Sequence, residues 1–426
     1  MSKLNRKEQP KFQKIEKIDI IKAKSSKLDN GIPIHFIDAG NEDVLKIDII
    51  YNAGTWYQEE PLLASFTNDL LLGGTKKYSS AQLAENIDFY GADVNTQIGY
   101  NTGSLNIYTL GKYLEQIIQI VADITENSIF PESELKNIIE NKKQDFIIDK
   151  NKVEKVASRK FRESIFGKSH PYGKFADLSD FDKLNTQKIK DFYKKHYTAD
   201  SCRIIISGKI REEYKKIINK HFGQRKFTMN AKIETKEHKI NPQAEQKIYI
   251  EKKNAVQSAI RIGTAMINRQ HKDFIDMQIV NTILGGYFGS RLMKNIREDK
   301  GYTYGINSGL ISMINSGYFI ISTEAGKDVK DLVLKEIYYE INKMKTEEVS
   351  FEELELVKNQ MIGQMQRGLN GPFALSRAFR QLMLNNQDYS FYDKMIDRIK
   401  NITSKEILKL SNKYFEIERF HEVVVG

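Results

Sequence analysis

Two apolar periodicities alternate along the chain. The first is helical: Leu63, Phe66, Leu70 and Leu71 fall on one face and the pattern stops at Gly73-Gly74, a helix-ending pair. It recurs at Phe274-Ile275-Asp276-Met277-Gln278-Ile279-Val280-Asn281-Thr282-Ile283-Leu284, which also ends in a pair, Gly285-Gly286. The second consists of short strand-like runs. Leu105-Asn106-Ile107-Tyr108 follows Asn101-Thr102-Gly103, and Tyr318-Phe319-Ile320-Ile321 follows Asn315-Ser316-Gly317. Each run leads through a polar turn into a long amphipathic helix, expected over 114–127 and 329–344.

The ends of the two halves match as well. A helix over 185–193 leads through His196-Tyr197 to the strand Cys202–Gly208, and a helix over 402–411 leads through Tyr414-Phe415 to Glu422–Gly426. The paired landmarks keep their order at offsets of 212, 214 and 218 positions. Two copies of one unit are therefore expected: an N-terminal domain over 1–226, a polar, lysine-rich linker over 227–246, and a C-terminal domain over 247–426. Runs of two or three strands alternating with long helices predict an α+β class, with two homologous domains, each an antiparallel sheet layered with helices.

Composition narrows the function classes. A content of 40% hydrophobic and 10% aromatic residues, with only 7 prolines, excludes a disordered chain. The net charge of +10 comes from 66 basic and 56 acidic residues interleaved along helices. That pattern, without an arginine-rich stripe, predicts no nucleic-acid partner. No run approaches the roughly 20 apolar residues of a membrane helix, and the charged N-terminus is unlike a secretory signal, so a cytoplasmic location is expected. The one cysteine, Cys202, lies in a core-like strand, and no disulfide is possible. The seven histidines include no pair at three- or four-residue spacing. The glycines at 285, 286 and 289 follow a helix and lack the Gly-Lys-Thr/Ser ending of a phosphate loop.

The helix before Gly74-Thr75 resembles the active-site helix of the pitrilysin/insulinase/mitochondrial-processing-peptidase family of zinc peptidases, a metallopeptidase-like fold. That family writes H-x-x-E-H here. Counting back from Gly74-Thr75, the histidine positions hold Ser65 and Asp69 and the glutamate position holds Asn68. The family's third ligand, a glutamate on a later helix over 130–144, aligns at or near Gln144, with Glu140 and Asp145 as alternatives in register. Catalytic zinc needs three ligands and an adjacent base, so the resemblance implies a degenerate site with no metal in this chain. Other family features are present. Leu28-Asp29-Asn30-Gly31 opens the first strand, and Gly91-Ala92-Asp93-Val94-Asn95-Thr96 resembles the segment leading to the peptide-binding edge strand.

The second half is similar to the family segment G-G-x-x-S-S-R-L-x-x-x-I-R-E-x-x-G-x-x-Y, here Gly285 to Tyr304. In the family an arginine and a tyrosine seven positions later reach the zinc site of a facing domain. Arg297 and Tyr304 have that spacing, with Tyr302 as a register alternative. Arginine can fork onto a carbonyl or carboxylate, and a tyrosine hydroxyl can donate to an oxyanion. Without the resemblance, the same two residues read as a helix-end cation and a packed sheet tyrosine.

The resemblance implies a non-catalytic subunit that binds peptide and completes the active site of an H-x-x-E-H-bearing homologous partner, which would hold the zinc. The alternatives are a structural or assembly protein on the same fold and a self-pairing peptide binder.

Overall fold

The structure is a computed structural model, and residues 15, 17–224 and 238–426 are described. The N-terminal decapeptide, the boundary at 226 and positions 227–237 of the expected linker lie outside the described residues.

The strands are β1 (Lys24–Lys27), β2 (Pro33–Asp38), β3 (Val44–Tyr51), β4 (Asp93–Ile98), β5 (Gly103–Leu110), β6 (Arg203–Gly208), β7 (Lys247–Ile250), β8 (Gln257–Met266), β9 (Thr303–Ser312), β10 (Gly317–Gly326) and β11 (His421–Val425). They form two sheets, in the orders β1-β2-β6-β3-β5-β4 and β7-β11-β8-β10-β9. Apart from β1, the two orders superimpose strand for strand, so the repeat seen in the sequence is a repeat of topology.

The sheets are antiparallel, as expected, with one exception in each. Each sheet contains one parallel pair, β2 with β6 and β7 with β11. The closing strand of each half returns after several helices and enters beside the first strand, running the same way. A hairpin cannot make that connection; a long crossover can.

The helix at Leu63–Asp69 tightens into a 3-10 turn over Leu70–Gly73 and stops at Gly74 (φ +130°). Its counterpart, Phe274–Asn281, widens instead into a π turn over Thr282–Gly286. The long helices expected after β5 and β10 are Leu114–Asn127 and Lys330–Thr346. Their apolar faces pack on their own sheets: Ile117, Val121 and Ile124 join Ile47 and Ile107 in one core, and Val333, Ile337 and Ile341 join Ile262 and Phe319 in the other.

The second face of each sheet is covered from the opposite half. Helix Val153–Phe166 sets Ala157, Phe161 and Ile165 against Ala259, Val423 and Val425, and helix Pro372–Leu384 sets Leu375 against Ile37, Ile50 and Ile205. Polar contacts repeat the exchange. Arg261 Nε donates to Ser158 Oγ (3.1 Å), and Ser376 Oγ donates to Asp48 Oδ2 (3.0 Å). Ser158 and Ser376 keep the 218-residue offset of Gly208 and Gly426. The segment 238–246, without helix or strand, runs along the end of helix Val153–Phe166, with Gln243 N–H donating to the Ser164 carbonyl (2.8 Å).

Two histidines are sealed in the N-terminal half. His196 stacks on Phe192 with Nδ1 3.2 Å from the Asn52 carbonyl, and His170 packs among Trp56, Phe166 and Tyr172. Burial pulls both pKa values down to about 4. An unfolded histidine titrates near 6.5, so between those values the unfolded chain binds more protons. The stability they confer is complete above about pH 6.5 and is lost as pH falls toward 4, on the order of 3 kcal/mol from His196 alone. Urea unfolding at pH 7 and pH 4.5 should show this loss, reduced in His196→Gln.

Candidate functional site

The degenerate helix lies over the open end of the first sheet. Among the described residues strand β4 pairs with β5 alone, its other edge unpaired, and helix Leu63–Asp69 packs against both strands. Ser65 Oγ donates to the Leu62 carbonyl (2.9 Å), an intrahelical bond. Asn68 is fully buried, and its Oδ1 accepts from the Tyr197 hydroxyl at 2.9 Å. Gly103 leaves room for that bond, because a Cβ there would stand 2.8 Å from the Tyr197 hydroxyl and 3.0 Å from Asn68 Oδ1. Asp69 Oδ1 accepts from the Thr96 hydroxyl on β4 (3.4 Å), and Asp69 Oδ2 pairs with Lys142 Nζ at 2.7 Å.

Lys142 is the residue that the sequence reading missed. The helix expected over 130–144 is Glu132–Asp149, and its inward face runs Leu135, Ile138, Ile139, Lys142, Phe146. Gln144 is exposed, as are its register alternatives Glu140 and Asp145. The seam position facing Asp69 is occupied by an ammonium group that also lies over the Phe66 ring (5.6 Å). Three-to-four-residue spacing back from Phe146 was the signal that could have found it.

These residues do not fit zinc. Ser65 Oγ and Asn68 Oδ1 are engaged within the protein, the buried Asn68 Nδ2 left without a partner is a donor that cannot ligate a cation, and the carboxylate at Asp69 faces a lysine. Among the described residues, no group of three His, Cys, Asp or Glu side chains could hold a metal. Cys202 offers no alternative chemistry, since burial pushes its thiol up to about 12. Because the Asp69–Lys142 pair is partly exposed, Lys142→Ala should cost only about 0.5–1 kcal/mol in chemical denaturation. Equimolar zinc should leave the melting temperature of the wild-type chain unchanged, and a zinc-dependent rise would contradict the assignment.

The second sheet presents a different surface at the equivalent edge. The π-helical segment Met293–Asp299 carries Arg297 in its last turn. Gly301 (φ +66°) then reverses the chain in the left-handed conformation that glycine favours, and β9 begins at Thr303. A bulge follows: Tyr304 and Gly305 oppose the single residue Glu324, and the register shifts there. Hydroxyls hold the bulge closed. Thr303 Oγ1 donates to the Glu324 carbonyl (2.6 Å) and accepts from Gly305 N–H (3.2 Å), while Thr323 Oγ1 donates to the Gly305 carbonyl (2.9 Å).

The bulge turns Tyr304 outward, and it is 91% exposed. Tyr302, the register alternative, packs against the C-terminal core. The Arg297 guanidinium lies 5.7 Å from the Tyr304 ring and 4.7 Å from that of Phe288, itself exposed. Helix end, glycine reversal and strand start thus bring together two residues seven apart. A cleft of about 1000 Å3 adjoins them, lined by Gly285, Gly286, Phe288, Tyr304 and Ser308, with Glu154 reaching in from the N-terminal half. Among the described residues β9 pairs as a strand with β10 alone; on its other side Ile306 N–H donates to Met293 Sδ (3.4 Å) and the Ser308 carbonyl accepts from Asn281 Nδ2 (3.4 Å), so helical side chains cover part of this edge.

Residues 41–169 match the model of Insulinase (Peptidase family M16), and residues 183–361 match the Peptidase M16 inactive domain. The chain belongs to the insulinase family. The first match spans the degenerate helix and Lys142; the second spans Arg297 and Tyr304. Relatives in Rickettsia bellii and Bacillus subtilis, both described as uncharacterized zinc proteases, are 26% and 23% identical. The alignments cover 92% of this chain and 94% of the first, and 83% of this chain and 85% of the second. Among solved structures, a peptidase M16 inactive domain from Pseudomonas fluorescens superimposes with a TM-score of 0.83 at 21% identity, over 95% of this chain and 98% of that one. A protease from Helicobacter pylori does so with 0.87 at 16%, over 96% and 100%. These likenesses establish the two-domain insulinase-family fold. This family member carries no metal-binding group among its described residues. No helix among them is long and apolar enough to cross a membrane.

Proposed function

We propose that this chain is the non-catalytic subunit of a two-subunit zinc peptidase. It binds extended peptide and supplies Arg297 and Tyr304 to the active site of a homologous partner bearing H-x-x-E-H. The observation that carries this reading is the Arg297–Tyr304 pair itself. Among the described residues its arginine has ring contacts and no ion pair, its tyrosine stands almost fully in solvent, and both sit at the edge of the second sheet beside the cleft. A pair serving only the fold would bury the ring and pair the charge. The companion observation is the first domain, where Lys142 and Asp69 stand in place of a metal site.

In the proposed complex the edge strand aligns the peptide main chain, and the Arg297 fork takes a substrate carbonyl or carboxylate. The Tyr304 hydroxyl donates to oxygen as negative charge develops on it. The nucleophile and its base belong to the partner. The test is co-expression with an H-x-x-E-H homologue from the same genome, followed by co-purification and cleavage of a quenched fluorescent peptide. Cleavage that requires both chains is expected. A partner equally active without this chain would sink the proposal and favour an assembly role for the fold.

A further inference from the structure

Away from the Arg297–Tyr304 cleft, a second opening of about 460 Å3 lies among the helices of the C-terminal half. That volume is typical of a small-ligand site. Its walls come from helices Phe351–Gly368, Pro372–Leu384 and Ser390–Asn401, with Gln278 and Asn281 from helix Phe274–Asn281. Met361, Met365, Met395 and Phe391 provide an apolar lining that can re-pack around a guest. The charge in the lining is one-sided: Arg269 and Arg377 contribute, and no Asp or Glu does.

Arg269 is built in rather than loosely placed. Its Nε donates to Gln387 Oε1 (2.8 Å), Gln387 Nε2 donates back to the Arg269 carbonyl (3.0 Å), and the guanidinium stacks on Phe391 at 3.8 Å. Its Nη2 is nonetheless buried without a hydrogen-bond partner. Burial pushes its pKa down; Tyr392, by charge and by a side-chain hydrogen bond to the guanidinium, opposes that shift, and no carboxylate contributes. Asn281 Oδ1, also in the lining, is a buried acceptor without a donor. A buried arginine donor without a counter-charge and an unfilled amide acceptor, both in the lining of one methionine-rich cleft, define complementary chemistry: a carboxylate, an N–H and an apolar body. A fatty carboxylate supplies the first and third of these. The C-terminal residue of a peptide supplies all three.

We infer that this cleft binds the C-terminal carboxylate of a short apolar peptide, with Arg269 taking the carboxylate and Asn281 the adjoining amide N–H. The experiment is calorimetric titration of the full chain with N-acetyl-Leu-Phe as the free acid, with its C-terminal amide, and with octanoate. The free acid should bind one to one, and the amide at least about tenfold more weakly, as for loss of a buried charge-assisted bond. Arg269→Gln should weaken the acid by a similar factor. Arg377→Gln, at an exposed position, should weaken it severalfold while leaving the melting curve in place. The acid and amide comparison needs no variant, so it decides the question even if Arg269→Gln fails to fold. No binding of the acid, equal binding of acid and amide, octanoate binding as tightly as the peptide acid, or unchanged affinity in Arg377→Gln would each overturn the assignment.

Discussion

Arg297→Ala is expected to lower peptide cleavage by the assembled pair roughly a hundredfold, without changing the amount of partner that co-purifies. The size follows from the role: removing one donor that meets charge developing in the transition state costs about 10²–10³ in turnover. The absence of a binding effect follows from the geometry. Among the described residues the Arg297 guanidinium lies against the Phe288 and Tyr304 rings and forms no ion pair, so no charge partner is stranded when it is truncated. Arg297→Lys keeps the charge but not the planar fork and should recover only part of the activity. Tyr304→Phe keeps the ring beneath the guanidinium and removes the hydroxyl, so it separates stacking from donation. A defect confined to kcat would place the hydroxyl at the reacting oxygen, whereas a defect confined to KM would limit the pair to substrate binding. Full activity in Arg297→Ala would end the case for this site.

The largest stability effect is expected at Asp48→Ala. Lys46 and Asp48 form an ion pair on β3, with both side chains nearly excluded from solvent. Asp48 also accepts from Ser376 of the opposite half. Burial pushes the Lys46 pKa down, Asp48 opposes that, and Arg380 and Arg377 push it further down. Without Asp48, an ammonium group is left buried among like charges, and the interdomain hydrogen bond is lost as well. Breaking one side of a buried pair costs about 3–5 kcal/mol. Removing both charges together, as in Lys46→Met with Asp48→Leu, should cost far less, because no uncompensated charge remains. Chemical denaturation of the two single variants and the double variant forms a cycle. Equal losses in Asp48→Ala and the double variant would show that packing, not charge, is at stake. The Ser158–Arg261 contact occupies the equivalent place in the other half, so the same seam is fastened twice with different chemistry.

Much of this was legible from the sequence, because it is written in local pattern. Helical periodicity and a glycine stop locate Leu63–Asp69, and the residues preceding Gly74-Thr75 show that histidines are missing. Constant offsets between landmarks expose the repeat, since each copy must bury the same faces. The seven-residue spacing of Arg297 and Tyr304 survives because one helical turn, a glycine reversal and a strand start have fixed lengths. The one parallel pairing in each sheet, at β6 and at β11, was not legible for the converse reason. Which strand a returning segment joins depends on a crossover through intervening helices, and no local pattern records it.

The sequence by itself determined that the H-x-x-E-H residues are replaced at Ser65, Asn68 and Asp69, along with the two-fold repeat and the spacing of the candidate pair, all of which depend on residue identity and offsets along the chain. Only the tertiary structure decided that Lys142 rather than Gln144 faces Asp69, because a shift of two residues on a helix turns a side chain by more than half the circumference. Only the structure showed that a bulge against Glu324 turns Tyr304 into solvent, that each half covers the other's sheet, and that the Arg269 Nη2 is buried with no carboxylate beside it. Each of these depends on groups far apart in the chain, and their mutual placement is set by the packing of the whole.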